Sequence, residues 1–190
     1  MIVETVVTTL DEDGAVNFAA MGVVWGEDRL VIRPYVATRT FRNLVRAREA
    51  VVNVTDDVLV FAKSALSQER FPSRPATRVQ GAILADACHW REVAVEQVSV
   101  PEPRPSGRGR ADVTARVVAG AVGRPFVGLC RAKHAVVEAS ILASRARRLT
   151  RDEVLQGLDR LDPLVDKTGG PAEREAMAYI RAHALRLVGA

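Results

Sequence analysis

Polar and apolar positions alternate from the first residues of the chain. Val3, Thr5, Val7 and Thr9 share one side, and Glu4, Val6 and Thr8 share the other. A period of two in β-branched residues predicts a strand. Asp11-Glu12-Asp13-Gly14 predicts a hairpin turn, with Gly14 free to take a positive φ. A second strand is expected from about Val16 to Trp25. Gly26-Glu27-Asp28 then turns the chain into a third, Arg29 to Val36. In that strand Leu30, Ile32, Pro34 and Val36 lie on one face and Val31, Arg33 and Tyr35 on the other. Pro34 has no N–H for a ladder, so the strand is irregular or at an edge there. The period next becomes helical. Phe41, Leu44, Val45 and Arg48 follow Thr38 or Thr40 as N-cap. Ala50 to Asp56 reads as a strand again.

Residues 63–80 hold few regular signals and contain Pro72 and Pro75, which predicts a loop or a short helical excursion. Alternation returns from about Gly81 to Val100 and slips in phase near Gln97, the mark of a bulge. Pro101 to Arg110 is a surface loop by composition, and Asp112 to Val122 is a strand. Arg131 to Leu149 is rich in helix formers. Thr150-Arg151-Asp152-Glu153 is a capping box opening a further helix. Gly169-Gly170-Pro171 breaks the chain before a closing helix to about Leu187. The predicted class is mainly β with helices (α+β). An antiparallel barrel is expected in residues 1–125, and a C-terminal helical segment packing on it in 126–190. Hairpins with a single interposed helix do not give the regular alternation of a doubly wound parallel sheet.

Composition narrows this picture. The chain has 190 residues, 48% hydrophobic and 26% charged, enough apolar surface for a core. No apolar run approaches a membrane span, and no basic leader precedes the first strand, so a cytoplasmic protein is expected. Only three of the 27 basic residues are lysine. Such arginine excess in an Ala/Val-rich chain suits a G+C-rich genome and is weak ground for nucleic-acid binding. A basic group (Arg104, Arg108 and Arg110 with Arg145, Arg147, Arg148 and Arg151) has no reading helix beside it, and few aromatic platforms. Cys88 and Cys130 with His89 and His134 match no zinc spacing. They read as ordinary thiols and histidines of a reducing compartment.

The densest chemistry lies in Arg33-Pro34-Tyr35-Val36-Ala37-Thr38-Arg39-Thr40-Phe41-Arg42-Asn43. Two hydroxyls and a guanidinium at a helix start, with its dipole and free N–H groups, suit a phosphate monoester. Asn43 lies one turn on and can aim an amide at the same ligand. The alternative is a capped surface helix with incidental arginines. Asn17-Phe18-Ala19-Ala20-Met21-Gly22-Val23 offers small residues that let a flat ligand approach the backbone, or simply pack a tight barrel. His134 and Glu138 sit one turn apart, facing either a pocket or solvent. Trp90 beside His89 reads as a partly buried strand position.

These segments resemble a known family. Glu4 to Thr9, Asp13-Gly14, Asn17 to Val23, Arg33-Pro34-Tyr35, Thr38 to Leu44 and Val51 to Asp57 are similar to domain-of-unknown-function family 447, and Arg131 to Arg145 is similar to its C-terminal helix. That family resembles the FMN-binding split-barrel proteins related to flavin reductases and pyridoxamine-phosphate oxidases. The resemblance implies a Greek-key, antiparallel split barrel, a homodimer and FMN near the subunit interface. Thr38, Arg39 and Thr40 would then hold the phosphate. Met21, Gly22 and Val23 would lie against the isoalloxazine through their backbone. Arg33 and Tyr35 would line the phosphate–ribityl side, and Asn43 and Asn53 would steady the loop or the flavin. That family has no assigned reaction, so the resemblance implies a cofactor and not a substrate; the leading expectation is a flavin-dependent oxidoreductase acting on a small molecule, with a nicotinamide or a pterin as candidates. A non-catalytic flavin carrier or sensor dimer is the alternative. No catalytic side chain is named.

Overall fold

The computed structural model describes residues 1–101, 109–128 and 130–188. Most of the loop expected from Pro101 to Arg110, with Arg104 and Arg108, lies outside the described residues. The chain forms two compact units: Met1–Thr55 with Arg70–Pro125, and Asp56–Glu69 with Phe126–Ala190.

The first unit is a closed barrel. Its strands are β1 (Ile2–Leu10), β2 (Val16–Trp25), β3 (Arg29–Ile32), β4 (Glu49–Val54), β7 (His89–Ser99) and β8 (Asp112–Val122), in the order β1-β2-β3-β8-β7-β4, all antiparallel. A short hairpin of β5 (Ser73–Pro75) and β6 (Ala82–Leu84) stands apart from this sheet. Alternation sends Val7, Val23, Leu30, Ile32, Ala50, Val52, Val93, Val113 and Ala115 inward, where none retains solvent exposure. Valine and alanine dominate because six strands enclose a space only wide enough for short side chains. The barrel is the one the alternation predicted. The phase slip near Gln97 is a register shift between Val95 and Gln97, and a second shift falls between Glu92 and Val93.

The helix α1 (Arg39–Ala47) presses Leu44 and Phe41 against the barrel core. Thr38 caps it, its hydroxyl accepting the Phe41 N–H at 3.3 Å. Arg48 ends it in the left-handed region at φ 56°. The third strand stops at Ile32, four residues short of the expected Val36, since Pro34 cannot donate to a ladder. Tyr35 rejoins the sheet only through an isolated bridge to Arg110.

The second unit is helical: α2 (Val58–Leu66), α3 (Arg131–Ser144), α4 (Arg151–Asp159), α5 (Asp162–Thr168) and α6 (Pro171–Val188). The expected division at residue 125 therefore needs one amendment. The segment between β4 and β5 supplies a helix to this unit, because Val58 and Ala62 are buried among Ala132, Ala135, Val136 and Ala139. The helix expected from Arg131 to Leu149 ends at Ser144, and a 3-10 turn covers Ala146–Arg148. The Thr150–Glu153 capping box forms as expected, with Glu153 accepting the Thr150 N–H at 2.7 Å. Lys133 pairs with the buried Asp56 at 3.0 Å. Arg181 ties Asp159 and Asp162 together across the α4–α5 junction. His134 and Glu138 are both exposed on α3, as a solvated helix face would be. No helix among the described residues is long and apolar enough to cross a membrane.

One buried carboxylate organises the loop before β6. Glu92 on β7 accepts the backbone N–H groups of Thr77 (3.0 Å), Arg78 (2.5 Å) and Val79 (3.2 Å) and the Thr77 hydroxyl (2.8 Å). Burial works to raise its pKa. The hydrogen bonds from Arg78, Thr77 and Val79 outweigh that and hold it below the ordinary 4.5. Glu92→Gln keeps the shape but turns an amide against those donors. It is expected to cost about 1–3 kcal/mol at pH 7 in urea unfolding. A depressed carboxylate stabilises above its unfolded pKa and loses that effect as pH falls through its folded one. The two proteins are therefore expected to converge in stability below pH 4.

Candidate functional site

The turn at Asp11–Ala15 and the start of α1 meet at one mouth of the barrel. Gly14 holds φ 80°, and the Asp11 N–H donates to the Ala15 carbonyl at 2.9 Å. This closes the hairpin and presents the Asp11 carboxylate toward α1. Asp11 pairs with the Arg39 guanidinium and accepts the Asn43 amide at 2.8 Å. Asn43 also donates to the Thr9 hydroxyl at 3.0 Å. Asn17, paired with Thr9 across β1 and β2, donates to Thr9 at 3.2 Å and to the Thr40 hydroxyl at 3.0 Å. Thr9, Thr40 and Asn43 are all buried.

Beside this network opens a cleft of about 750 Å³. Arg39, Arg42 and Arg46 line it from α1, and Asp11, Glu12 and Asp13 from the turn. The first turn of α1 has no acidic residue. Its amide dipoles and its two arginines therefore add as positive potential, which favours an anion there. Asp11, Glu12 and Asp13 set three carboxylates against Arg39, Arg42 and Arg46, so the side-chain charges of the lining balance, and the N–H donors and dipole of the helix start are what favour an anion. Burial works to raise the Asp11 pKa, but hydrogen bonds from Arg39 and Asn43, with the Arg39 and Arg46 charges, hold it below 3.8. Among the described residues Arg42 makes no ion pair. The donor set thus fits the phosphate of a mononucleotide.

The expected site residues divide into groups. Thr38, Arg39, Thr40 and Asn43 come together at the start of α1, Arg39 and Asn43 on the lining of the cleft and Thr40 buried behind it. Thr38 spends its hydroxyl on the fold, donating to the Tyr35 carbonyl at 2.7 Å and accepting from Phe41. Arg33 pairs with Asp112 at 2.8 Å. Tyr35 accepts a hydrogen bond from Arg110 at 3.0 Å, with that guanidinium 4.5 Å from its ring centre. Met21, Gly22 and Val23 lie further along β2, Gly22 about 17 Å from Asn17 at the strand rise. Val23 faces the core, and the Met21 carbonyl accepts the Thr5 hydroxyl at 2.9 Å. Gly22 is the close approach on that strand, since a Cβ would meet Ile2 Cγ2 at 2.7 Å. Asn53 stands apart. Its amide donates to the Val6 carbonyl at 3.0 Å and accepts the Leu84 N–H at 2.9 Å, fixing β6 to β1 and β4.

Sequence reasoning passed over Asp11, read as a turn residue, and Asn17, read as one of a run of small residues. Their signal was available only through pairing: the turn sets Asp11 at α1, and the β1–β2 register sets Asn17 opposite Thr9. Elsewhere, Trp25 packs edge-on to His89 at 5.2 Å and lies 4.3 Å from the Arg91 guanidinium. Burial, then Arg91, lowers the His89 pKa. Trp90 lies under Arg74 at 4.6 Å. Cys88 is buried and Cys130 half-buried. No group of three or more His, Cys, Asp or Glu side chains gathers among the described residues.

Asp11→Asn keeps an acceptor for Asn43 but removes the charge beside Arg39. It is expected to cost about 1 kcal/mol near neutral pH. Because the native pKa is depressed, that loss is full above pH 4 and fades as pH falls through the folded value. Thermal melts between pH 2.5 and 7 measure both; a constant difference across that range counts against the ion pair.

Two family models match the chain, one described as "Protein of unknown function (DUF447) N-terminal domain" over residues 3–122 and one as "Protein of unknown function (DUF447)" over residues 130–182. Among solved structures, an FMN-bound protein of Methanosarcina mazei from the same family is 22% identical. The match covers 96% of this chain and 94% of that one, with a TM-score of 0.77. An FMN-binding protein of Thermus thermophilus is 19% identical over 63% of this chain and 71% of its own, at a TM-score of 0.52. The NADH:FAD oxidoreductase of Streptomyces globisporus is 11% identical over 67% of this chain and 87% of its own, at a TM-score of 0.53. The barrel is thus the split barrel shared with flavin-binding proteins, and the chain, matched through both its β and its helical parts, belongs to the DUF447 family.

Proposed function

We propose that this chain binds FMN, with the phosphate at the start of α1, and acts as a flavin-dependent oxidoreductase on a small molecule. The observation that carries the reading is the cationic, acid-free first turn of α1, set in a barrel shared with an FMN-bound family member. Arg39, Thr40 and Arg42 would hold the phosphate, while Thr38 and Tyr35 shape the turn that presents them. Asp11 orients Arg39 and Asn43. With Glu12 and Asp13 it balances the three arginines of the cleft, so the phosphate would be held by directed N–H and O–H donors rather than by net charge. FMN supplies hydride and electron transfer when bound. The protein holds it, orients it and limits its exposure to water. Similarity to the NADH:FAD oxidoreductase supports a nicotinamide as the electron donor. A cytoplasmic homodimer is part of the same proposal, and light scattering at the chain's elution peak tests its mass.

The purified protein is expected to be yellow and to release FMN on denaturation, identified by mass. Anaerobic addition of NADH or NADPH is expected to bleach the flavin absorption, with turnover when an acceptor is added. Tight FMN that neither nucleotide reduces would favour a carrier or sensor. A colourless protein that takes up no added FMN overturns the proposal. Arg39→Ala with Thr40→Ala is expected to weaken FMN about 10- to 100-fold, the loss of one or two charge-assisted hydrogen bonds. Riboflavin affinity should stay within about threefold, because riboflavin has no phosphate to lose those bonds.

A further inference from the structure

We propose that Asn17 is a positioning residue for the phosphate end of this site, acting through the hydroxyl of Thr40. The inference rests on the FMN reading above and adds a residue that neither touches the anion nor belongs to α1.

Thr40 is the second residue of α1 and only 3% exposed. A threonine hydroxyl has one proton to donate and two lone pairs to accept with. Asn17 Nδ2 fills one lone pair at 3.0 Å, and no described residue accepts the Thr40 proton. Asn17 itself is not free to turn away. The same Nδ2 donates to Thr9 Oγ1 at 3.2 Å, and Thr9 also receives the Asn43 amide at 3.0 Å. The two amides fill both lone pairs of Thr9. Asn17 is thereby held from β1 on one side and serves Thr40 on the other.

The consequence is a fixed direction of donation. With an amide N–H pointed at its oxygen, the Thr40 hydroxyl is left as a donor. It stands on the positive end of a helix beside Arg39 and Arg42, where an anionic oxygen is the acceptor that strengthens such a bond most. Reversing the partner reverses the role. A carboxylate at position 17 accepts only, so the Thr40 proton would turn toward it and its lone pairs toward the ligand. Asn17 therefore sets whether the helix start offers a donor or an acceptor to a phosphate, without adding a charge of its own.

The test is a double-mutant cycle on the purified full chain, stripped of flavin and titrated with FMN and with riboflavin by flavin fluorescence. Asn17→Ala and Thr40→Val are each expected to weaken FMN about tenfold, the value of one hydrogen bond to a charged group. Riboflavin should stay within about threefold, since it carries no phosphate to receive the Thr40 hydroxyl. The double variant should bind FMN within about twofold of Thr40→Val alone, because Asn17 has nothing to act through once the hydroxyl is gone. Asn17→Asp should weaken FMN more than Asn17→Ala, by reversing the hydroxyl and adding a negative charge. Stripped variants should melt within about 4 °C of wild type. If Asn17→Ala does not melt cooperatively, Asn17→Ser is measured in its place with the same expectations. Unchanged FMN affinity in the position-17 variants, additive losses in the cycle, or equal losses for both flavins each overturn the proposal. Wild type that binds FMN no better than riboflavin overturns the phosphate site and this inference together. A wild-type preference for FMN that survives Asn17→Ala overturns the inference alone.

Discussion

The mouth of the barrel depends on one buried hydroxyl. Thr9 receives amide donors from both β2 and α1, through Asn17 and Asn43, and so ties the first hairpin to the first helix at a single point. Burying the Asn43 amide and half-burying that of Asn17 is tolerable only because each finds a partner. The network is directional as well as cohesive. Asn43 reaches past Thr9 to the Asp11 carboxylate, and Asp11 reaches on to Arg39. The register of β1 on β2, the position of the Asp11 turn and the azimuth of α1 are therefore not independent choices. Sliding β2 by one residue would send Asn17 to the other face of the sheet. Thr9 and Thr40 would then lose a donor together.

Charge at this mouth runs against the usual helix preference. Acids normally gather at a helix N-terminus, and cations there are disfavoured by the dipole. In α1 the first turn carries Arg39 and Arg42 and no acid. Asp11 is the paired counter-charge, but it comes from another element, the turn that also brings Glu12 and Asp13 to the cleft. Arginines on an acid-free helix start suit an arriving anion, with Asp11 holding Arg39 in place meanwhile.

Much of this architecture was legible in the sequence, and the reason is periodicity. The alternation in residues 3–9 and 112–122 and the capping box at Thr150 are local signals, and local physics decides them. The structure reproduces each of them, and the bulge near Gln97 as well. What stayed hidden depends on pairing over distance. Asp11 reads as a turn residue until α1 is set beside it. Glu92 reads as one polar strand position until the N–H groups of Thr77, Arg78 and Val79 converge on it. The segment after Asp56 was hidden for a related reason. Val58 to Leu66 is a nearly uniform apolar run, so periodicity could not separate a helix from a loop, and only its neighbours Ala132 and Ala139 place it in the helical unit.

The arginine excess is resolved by the same contacts. On the barrel Arg29 pairs with Glu96, Arg33 with Asp112 and Arg124 with Asp86, while Arg91 and Arg110 lie over Trp25 and Tyr35. Their charge is taken up locally by carboxylates and aromatic faces, as arginine's flat, weakly hydrated group allows. A polyanion-binding surface would need those guanidiniums in one field and uncommitted. Arg33, which the family resemblance placed at the ribityl side, is among the committed ones. Arg39 is held as well, but by a carboxylate that is itself part of the cleft, and Arg42 beside it has no ion pair among the described residues. The positive charge that matters is therefore not the net +4 of the chain. It is the local charge of the guanidiniums at one helix start, set among N–H donors and balanced by the turn's three carboxylates, an arrangement that suits a compact phosphate rather than a polymer.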